Sequence, residues 1–211
     1  MRRVIVWRHG ETDQNAAGVY QGHLDSRLSA RGQQQAEQAA ALLAQRRPAR
    51  LVSSDLARAA GTAEALAEVS GLRVETDPRW REIDVGQWQG MRHADVVAVH
   101  PDVMDALDRG EDVRRGVDGE TVADLQRRAR AAFDDLVATL QEGETAVVGT
   151  HGLASRALVA DVVGLSYRQA WLSLVGLHNA HWAELVEHRT GWRLEVWNAG
   201  VGPSVGSVTD R

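Results

Sequence analysis

The sequence predicts an α/β protein: a three-layer α/β/α sandwich with a mostly parallel central sheet and helices on both faces. Three observations predict it. Short runs of β-branched and apolar residues, Val4-Ile5-Val6-Trp7, Leu51-Val52-Ser53 and Thr145-Ala146-Val147-Val148-Gly149, are too short for helices and read as buried strands. Between them lie longer segments with apolar residues at helical spacing. Strands that alternate with helices in this way form a largely parallel sheet covered on both sides.

Length and composition bound the rest. With 211 residues, 44% hydrophobic and 25% charged, the chain reads as a globular protein. We assign a single domain to residues 1–198, with a lid-like insertion around 91–119 and a flexible tail over 199–211. Cysteine is absent, which excludes disulfides, thiolate nucleophiles and Cys-based metal centres. The chain enters its first strand without a signal-peptide pattern and has no run of about twenty apolar residues. The expectation is therefore a cytoplasmic protein with no membrane partner. All 24 basic side chains are arginine, so any cationic role falls to arginine or histidine, and Schiff-base chemistry is excluded. A net charge of −5 argues against nucleic acid as a partner. Exposed tryptophans near the C-terminal strands would suit a homodimer.

Taken in order, the first strand leads into Arg8-His9-Gly10-Glu11-Thr12 and a polar loop. Ser29 is a natural N-cap for a helix whose Ala36, Ala39, Ala40 and Leu43 share one face, with Pro48 closing it. After the second strand, Ser54 is read as the N-cap of a helix over 54–70, stopped by Gly71. Residues 72–75 read as an edge strand. The loop 76–91 carries Glu82, Gly86, Trp88 and Gly90. A weaker helix follows into the 105–109 region, interrupted by Pro101, and then the charged, glycine-containing segment 110–119, read as a mobile insertion. Thr121-x-x-Asp124 resembles a capping box at the head of an amphipathic helix. The strand at 145–149 ends in Thr150-His151-Gly152 and is followed by an apolar helix to about residue 163. Residues 182–186 and 192–197 alternate like two strands of a hairpin.

Three pieces then share one place. Arg8 and His9 follow the first strand, Arg58 lies in the first turn of the helix after the second, and His151 and Gly152 follow the strand at 145–149. In a parallel sheet these junctions fall on one edge, where helix N-termini add backbone N–H groups and a field that favours anions. Each residue alone has a plainer explanation. A His-Gly pair after a strand is an ordinary turn, Arg58 could pair with Asp55 on a helix surface, and a loop glutamate such as Glu82 is commonly solvated. His178, His181 and His188 match no metal-ligand spacing, so no metal site and no cofactor are assigned. The conjunction carries the case.

With those residues in view, the sequence resembles the histidine phosphatase superfamily, also called phosphoglycerate mutase-like. The resemblance rests on Arg8-His9-Gly10-Glu11-Thr12, Asn15, Gln21-Gly22 with Asp25, Leu28-Ser29 with Gly32, and Ser53-Ser54-Asp55-Leu56-Ala57-Arg58-Ala59. It continues through Glu82 with Gly86, Trp88 and Gly90, then Gly119-Glu120-Thr121 and Thr150-His151-Gly152. It implies that His9 is the nucleophile, taking the phosphoryl group on its imidazole. Arg8, Arg58 and His151 would surround the phosphate oxygens, Asn15 and Gln21 would add hydrogen bonds, and Gly22 and Gly152 would lie against the phosphate. Glu82 would be the proton donor and acceptor. The chemistry suits the residues: a neutral imidazole attacks phosphorus well, and guanidinium forks match phosphate geometry.

Mutases of this family resemble one another in an Arg-His-Tyr segment after the acid and in a substrate-binding lysine. This chain has Ile83-Asp84-Val85 and no lysine. The resemblance therefore implies hydrolysis of a small phosphorylated substrate before mutase activity, with a broad-specificity phosphatase or a noncatalytic phosphate-binding module as the other readings. Residues 82–90, 176–182 and 192–199 are similar to the glucosyl-3-phosphoglycerate phosphatase branch. Such a substrate carries a carboxylate as well as a phosphate, and Arg92, His93, Arg114 and Arg115 are the candidates for a second cation.

Overall fold

A computed structural model of the chain describes residues 1–201. In order it contains β1 (Arg3–Arg8), α1 (Asp13–Ala16), α2 (Ala30–Leu43), β2 (Arg50–Ser53), α3 (Ala57–Ser70) and β3 (Val74–Thr76). Then come α4 (His93–Val99), α5 (Pro101–Asp108), α6 (Val122–Thr139), β4 (Thr145–Thr150), α7 (Gly152–Val163), α8 (Tyr167–Ser173), β5 (Trp182–His188) and β6 (Gly191–Ala199). The tail beyond 201 lies outside the described residues.

The sheet runs β3-β2-β4-β1-β5-β6. Its first four strands are parallel, and β5 and β6 form the expected antiparallel hairpin along the other side of β1. The α/β/α sandwich follows from the alternation of side chains on β1. Val4 and Val6 face the layer of α6 and α7, packing with Phe133, Leu136, Leu158 and Val159. Ile5 and Trp7 face the opposite layer, packing with Ala39, Ala40 and Leu43 of α2 and Ala63 and Leu66 of α3. All four β1 side chains are fully buried, so the polar residues that follow them are delivered to the sheet's carboxyl edge.

Local chemistry sets most helix ends. Ser29 accepts from Gly32 N–H at 3.1 Å, and Thr121 and Asp124 form the reciprocal capping box. Two expectations shift. The helix read from Ser54 starts at Ala57, because Asp25, far away in sequence, caps it by accepting from Ala57 N–H at 2.6 Å. The segment read as one helix interrupted at Pro101 is two helices, with Pro101 opening α5, where its missing N–H costs nothing.

The segment 110–119 is tied to its surroundings. The Asp112 carboxylate accepts from Val122 and Ala123 N–H at 2.6 and 2.9 Å, and the Gly116 carbonyl accepts from Gln87 N–H at 3.0 Å. With α4 and α5 it forms a third apolar cluster, in which Ile83, Val85, Trp88, Met104 and Leu107 pack with Val122, Leu125, Ala154 and Ala157. This cluster stands over the carboxyl edge beside β1 and α7.

Candidate active site

The register of the sheet assembles the site. Arg8 pairs with Thr150 and Ser53 with Gly149, so His9, Ser54 and His151 leave three adjacent strands side by side. His9 N–H donates to the Thr150 carbonyl at 2.9 Å, and Ser54 N–H to Gly149 at 2.8 Å. The imidazoles of His9 and His151 meet edge to face, with centroids 5.2 Å apart.

The ring of His9 is oriented by its own turn. Its Nδ1 lies 2.7 Å from the Gly10 carbonyl oxygen, which can only accept, so the proton is on Nδ1 and the lone pair on Nε2. Gly10 is required there, since a Cβ would sit 2.3 Å from the carbonyl oxygen of Gly32. The His9 carbonyl is held from the other side by Ala180 N–H at 3.0 Å and the Asn179 amide at 3.2 Å. Burial, followed by the Arg58 and Arg8 cations, lowers the His9 pKa well below 6.5 and keeps the ring neutral at physiological pH.

Arg58 is 1% exposed, and the plainer alternative, a surface pairing with Asp55, is not what forms; Asp55 bonds Arg81 instead. The Arg58 Nη2 donates to the Gly22 carbonyl and Nη1 to the Leu24 carbonyl, both at 2.7 Å, and Nε to His151 Nδ1 at 3.2 Å. Burial, the largest influence, brings its pKa down to about 10, so it remains cationic at neutral pH. The Arg58 bond fixes the tautomer of His151: Nδ1 accepts, so Nε2 carries the proton and donates to Ser54 Oγ at 2.8 Å. Burial first, then Arg58 and His9, lowers the His151 pKa well below 6.5. Arg8 donates through Nη1 to the Leu177 carbonyl, and a Cβ on Gly152 would come within 3.3 Å of its Cζ. Its guanidinium therefore lies on the N-terminus of α7.

Glu82 is not a solvated loop residue. Its carboxylate accepts from Leu153 N–H at 3.0 Å and from Ala154 and Ile83 N–H at 2.9 Å, so it sits at the N-terminus of α7. Its backbone is fixed by Arg128, which donates to the carbonyls of Arg79, Arg81 and Glu82 at 2.9, 2.7 and 2.7 Å. The same guanidinium grips Glu120 through Nε and Nη2 at 2.9 and 2.8 Å, and Glu120 accepts from Asp84 N–H at 2.9 Å. That gives the Gly119-Glu120-Thr121 motif a physical job that the sequence alone left open.

One cavity is lined by Arg8, His9, Asn15, Gln21, Gly22, Arg58, Glu82 and Gly152. Asn15 Oδ1 accepts from Thr12 N–H at 3.1 Å and the Asn179 amide at 3.3 Å, and Gln21 Oε1 accepts from Thr12 and Ser26 hydroxyls. His151 is fully buried and stands one layer behind, holding Arg58. Of the candidates for a second cation, Arg115 lines the cavity. Arg114 donates to Gly119 O at 2.5 Å and pairs with Asp124, and His93 bonds the Tyr20 hydroxyl at 2.9 Å. Arg156, also on the cavity wall, was missed; its signal was a charged residue among the apolar positions 153–160.

Fold and site together define a phosphate-handling α/β protein, with a neutral imidazole, two guanidiniums and a carboxylate at one helix N-terminus. The chain belongs to the histidine phosphatase superfamily (branch 1), whose model matches residues 4–200. A glucosyl-3-phosphoglycerate phosphatase of Mycolicibacterium vanbaalenii is 38% identical, covering 94% of this chain and 95% of the relative. A solved mycobacterial glucosyl-3-phosphoglycerate phosphatase in complex with VO3 is 40% identical, with a TM-score of 0.89 over 95% of this chain and 100% of that one. A protein described as a probable phosphoglycerate mutase, from Yersinia enterocolitica, is 32% identical, covering 92% of each chain.

Proposed function

We propose that the protein is a metal-independent phosphomonoesterase working through a phosphohistidine, on a small phosphorylated metabolite such as glucosyl-3-phosphoglycerate. The observation that carries the reading is the bond from His9 Nδ1–H to the Gly10 carbonyl, which leaves the Nε2 lone pair as the nucleophile. In the first half-reaction His9 Nε2 bonds to phosphorus as the P–O bond to the leaving group breaks. Glu82 gives its proton to the departing oxygen. Arg8 and Arg58 neutralise the charge spread over the equatorial oxygens, Asn15 and Gln21 add hydrogen bonds, and His151 keeps the Arg58 fork aimed. In the second half-reaction Glu82 takes a proton from water, whose oxygen attacks phosphorus and releases His9 and inorganic phosphate.

Hydrolysis is favoured over mutation by the cavity wall after Glu82, where Ile83 and Val85 are buried apolar residues. The 32% identity to a probable mutase keeps that activity as the second reading. Phosphate release in EDTA from glucosyl-3-phosphoglycerate, 3-phosphoglycerate and an aryl phosphate tests the proposal, and His9→Ala should abolish it while the thermal melt stays cooperative. Isomerisation of 3- to 2-phosphoglycerate without phosphate release would replace the phosphatase reading by the mutase. The same reading carries a cytoplasmic location, since phosphorylated metabolites do not cross membranes unaided. It also carries a homodimer, although not on the exposed tryptophans expected, since Trp182 is buried and Trp192 and Trp197 pack against the core. The exposed Leu172 and Val175 around the end of α8 support it instead, and sedimentation velocity tests it.

A further inference from the structure

Arg58 and Glu82 reach the site from different parts of the chain, and their backbones meet at His23, which takes no part in the steps above. The carbonyls on either side of His23, those of Gly22 and Leu24, are the two that hold the Arg58 fork, both at 2.7 Å. The His23 N–H donates to Gln89 Oε1, and its ring Nε2 lies 2.8 Å from the Glu82 carbonyl oxygen. That oxygen can only accept, so Nε2 carries the proton. Two residues on, the Asp25 carboxylate fastens the same loop to the head of α3, the helix that carries Arg58.

The loop runs closely beside the one that bears the acid. Gly22 has a φ of 49°, and a Cβ on it would stand 2.7 Å from Val85 Cγ2 and 3.2 Å from the Gln89 side chain, so only glycine permits this approach. Gly90 N–H donates to the Tyr20 carbonyl and Tyr20 N–H to the Met91 carbonyl, each at 2.9 Å. The Glu82 carbonyl has two lone pairs, and both are taken. Arg128 Nη2, at 2.7 Å, ties it to α6, and His23 ties it to the phosphate cradle.

We propose that His23 is a positioning residue that ties the backbone of Glu82 to the loop gripping Arg58, so that the phosphate cradle and the proton donor are held as one unit. It acts through those two residues and not on the substrate. Phosphate on Arg58 steadies the 22–24 loop, and through the His23 ring it steadies Glu82 before the proton is needed. This deepens the proposed phosphatase function and rests on it for the task of Glu82, but the tie itself is tested without turnover.

The variants are His23→Leu, which removes the donor, and His23→Gln, whose amide can donate to the same carbonyl. With inorganic phosphate as the probe, hydrogen exchange in the full wild-type chain should slow over both 22–25 and 82–84. In His23→Leu it should slow over 22–25 alone. In steady-state kinetics, His23→Leu should lower kcat for glycerol 3-phosphate by roughly ten- to a hundredfold, and for an aryl phosphate by less than about threefold. KM for both should stay within about twofold, because the Arg58 fork keeps its carbonyls. His23→Gln should restore most of kcat and the linked protection. Equal losses on the two esters, a change confined to KM, no recovery in His23→Gln, or protection over 82–84 that persists in His23→Leu overturns the role. His23→Ala decides if His23→Leu does not fold. A wild-type chain whose linked protection is lost in His23→Leu, but which releases phosphate from no ester, removes the phosphatase reading and leaves the tie. Phosphate release with kinetics untouched by His23→Leu does the reverse.

Discussion

Two buried, neutral histidines make the stability of this protein depend on pH in the range where free imidazole titrates. His9 and His151 have pKa values held well below 6.5, chiefly by burial and the Arg58 cation. Once unfolded, each ring regains a pKa near 6.5, so below that pH the unfolded chain binds protons that the native state does not. Stability is therefore complete above 6.5 and falls as the pH falls, until the native rings protonate. While both stay neutral in the fold, the loss from pH 8 to pH 5.5 is about 1.4 kcal/mol per ring, or about 3 kcal/mol together. Carboxylates do not intrude: Asp124 and Glu187, each lowered to about 2, contribute stability that is lost only below about pH 4.5. Urea unfolding followed by tryptophan fluorescence at pH 8.0, 6.5 and 5.5 measures the effect. His9→Gln should halve the loss, and so should His151→Gln. A wild-type midpoint that does not move over this range, or a His9→Gln variant with the wild-type pH dependence, would refute the reasoning.

The other expectations concern the acid and its supports. Arg128→Met frees the backbone on both sides of Glu82, and a displacement of about 1 Å at a catalytic group costs on the order of a hundredfold in rate. The loss should fall on kcat, be larger for alkyl than for aryl phosphates, and be partly restored by Arg128→Lys; equal loss on both would mean a merely structural role. Glu82→Gln should slow poor leaving groups most, and an equal loss with an activated aryl phosphate would count against its work as a proton donor. Gly10→Ala drives a methyl into the Gly32 carbonyl, 2.3 Å away, and should cost about 2–3 kcal/mol in a thermal melt. An unchanged melting temperature would mean that this turn yields easily.

Local patterns made much of the molecule legible from its sequence. Runs such as residues 145–149 and the Thr121–Asp124 box depend on near neighbours, and they turned up where the sequence places them. The misses involve partners distant along the chain. Ser54 has the chemistry of an N-cap, but Asp25 reaches Ala57 and takes the position, so the helix begins late. Arg58 was legible as a site residue but its partners were not: burial gives it carbonyls from the 22–24 loop and an imidazole from β4's end, while Asp55 turns to Arg81. Glu120 and Arg128 carry no local sign that they brace Glu82. Arg156 was visible only as an oddity in an apolar helix, because its reason is a cavity that several elements enclose.

The position of β1 has a consequence for how the protein is made. Residues 4–7 are fully buried and lie at the centre of the sheet, yet they leave the ribosome long before both strands that flank them. Their two neighbours, β4 and β5, begin only at Thr145 and Trp182. At about 5–20 residues per second, on the order of ten seconds pass before the first of them exists. Throughout that interval the nascent chain carries an unpaired apolar strand with Arg8 and His9 at its tip. The chain must emerge past β5 before the site closes, so synthesis interrupted earlier yields fragments that are inactive and prone to associate, and β1 is where a chaperone would have most to hold.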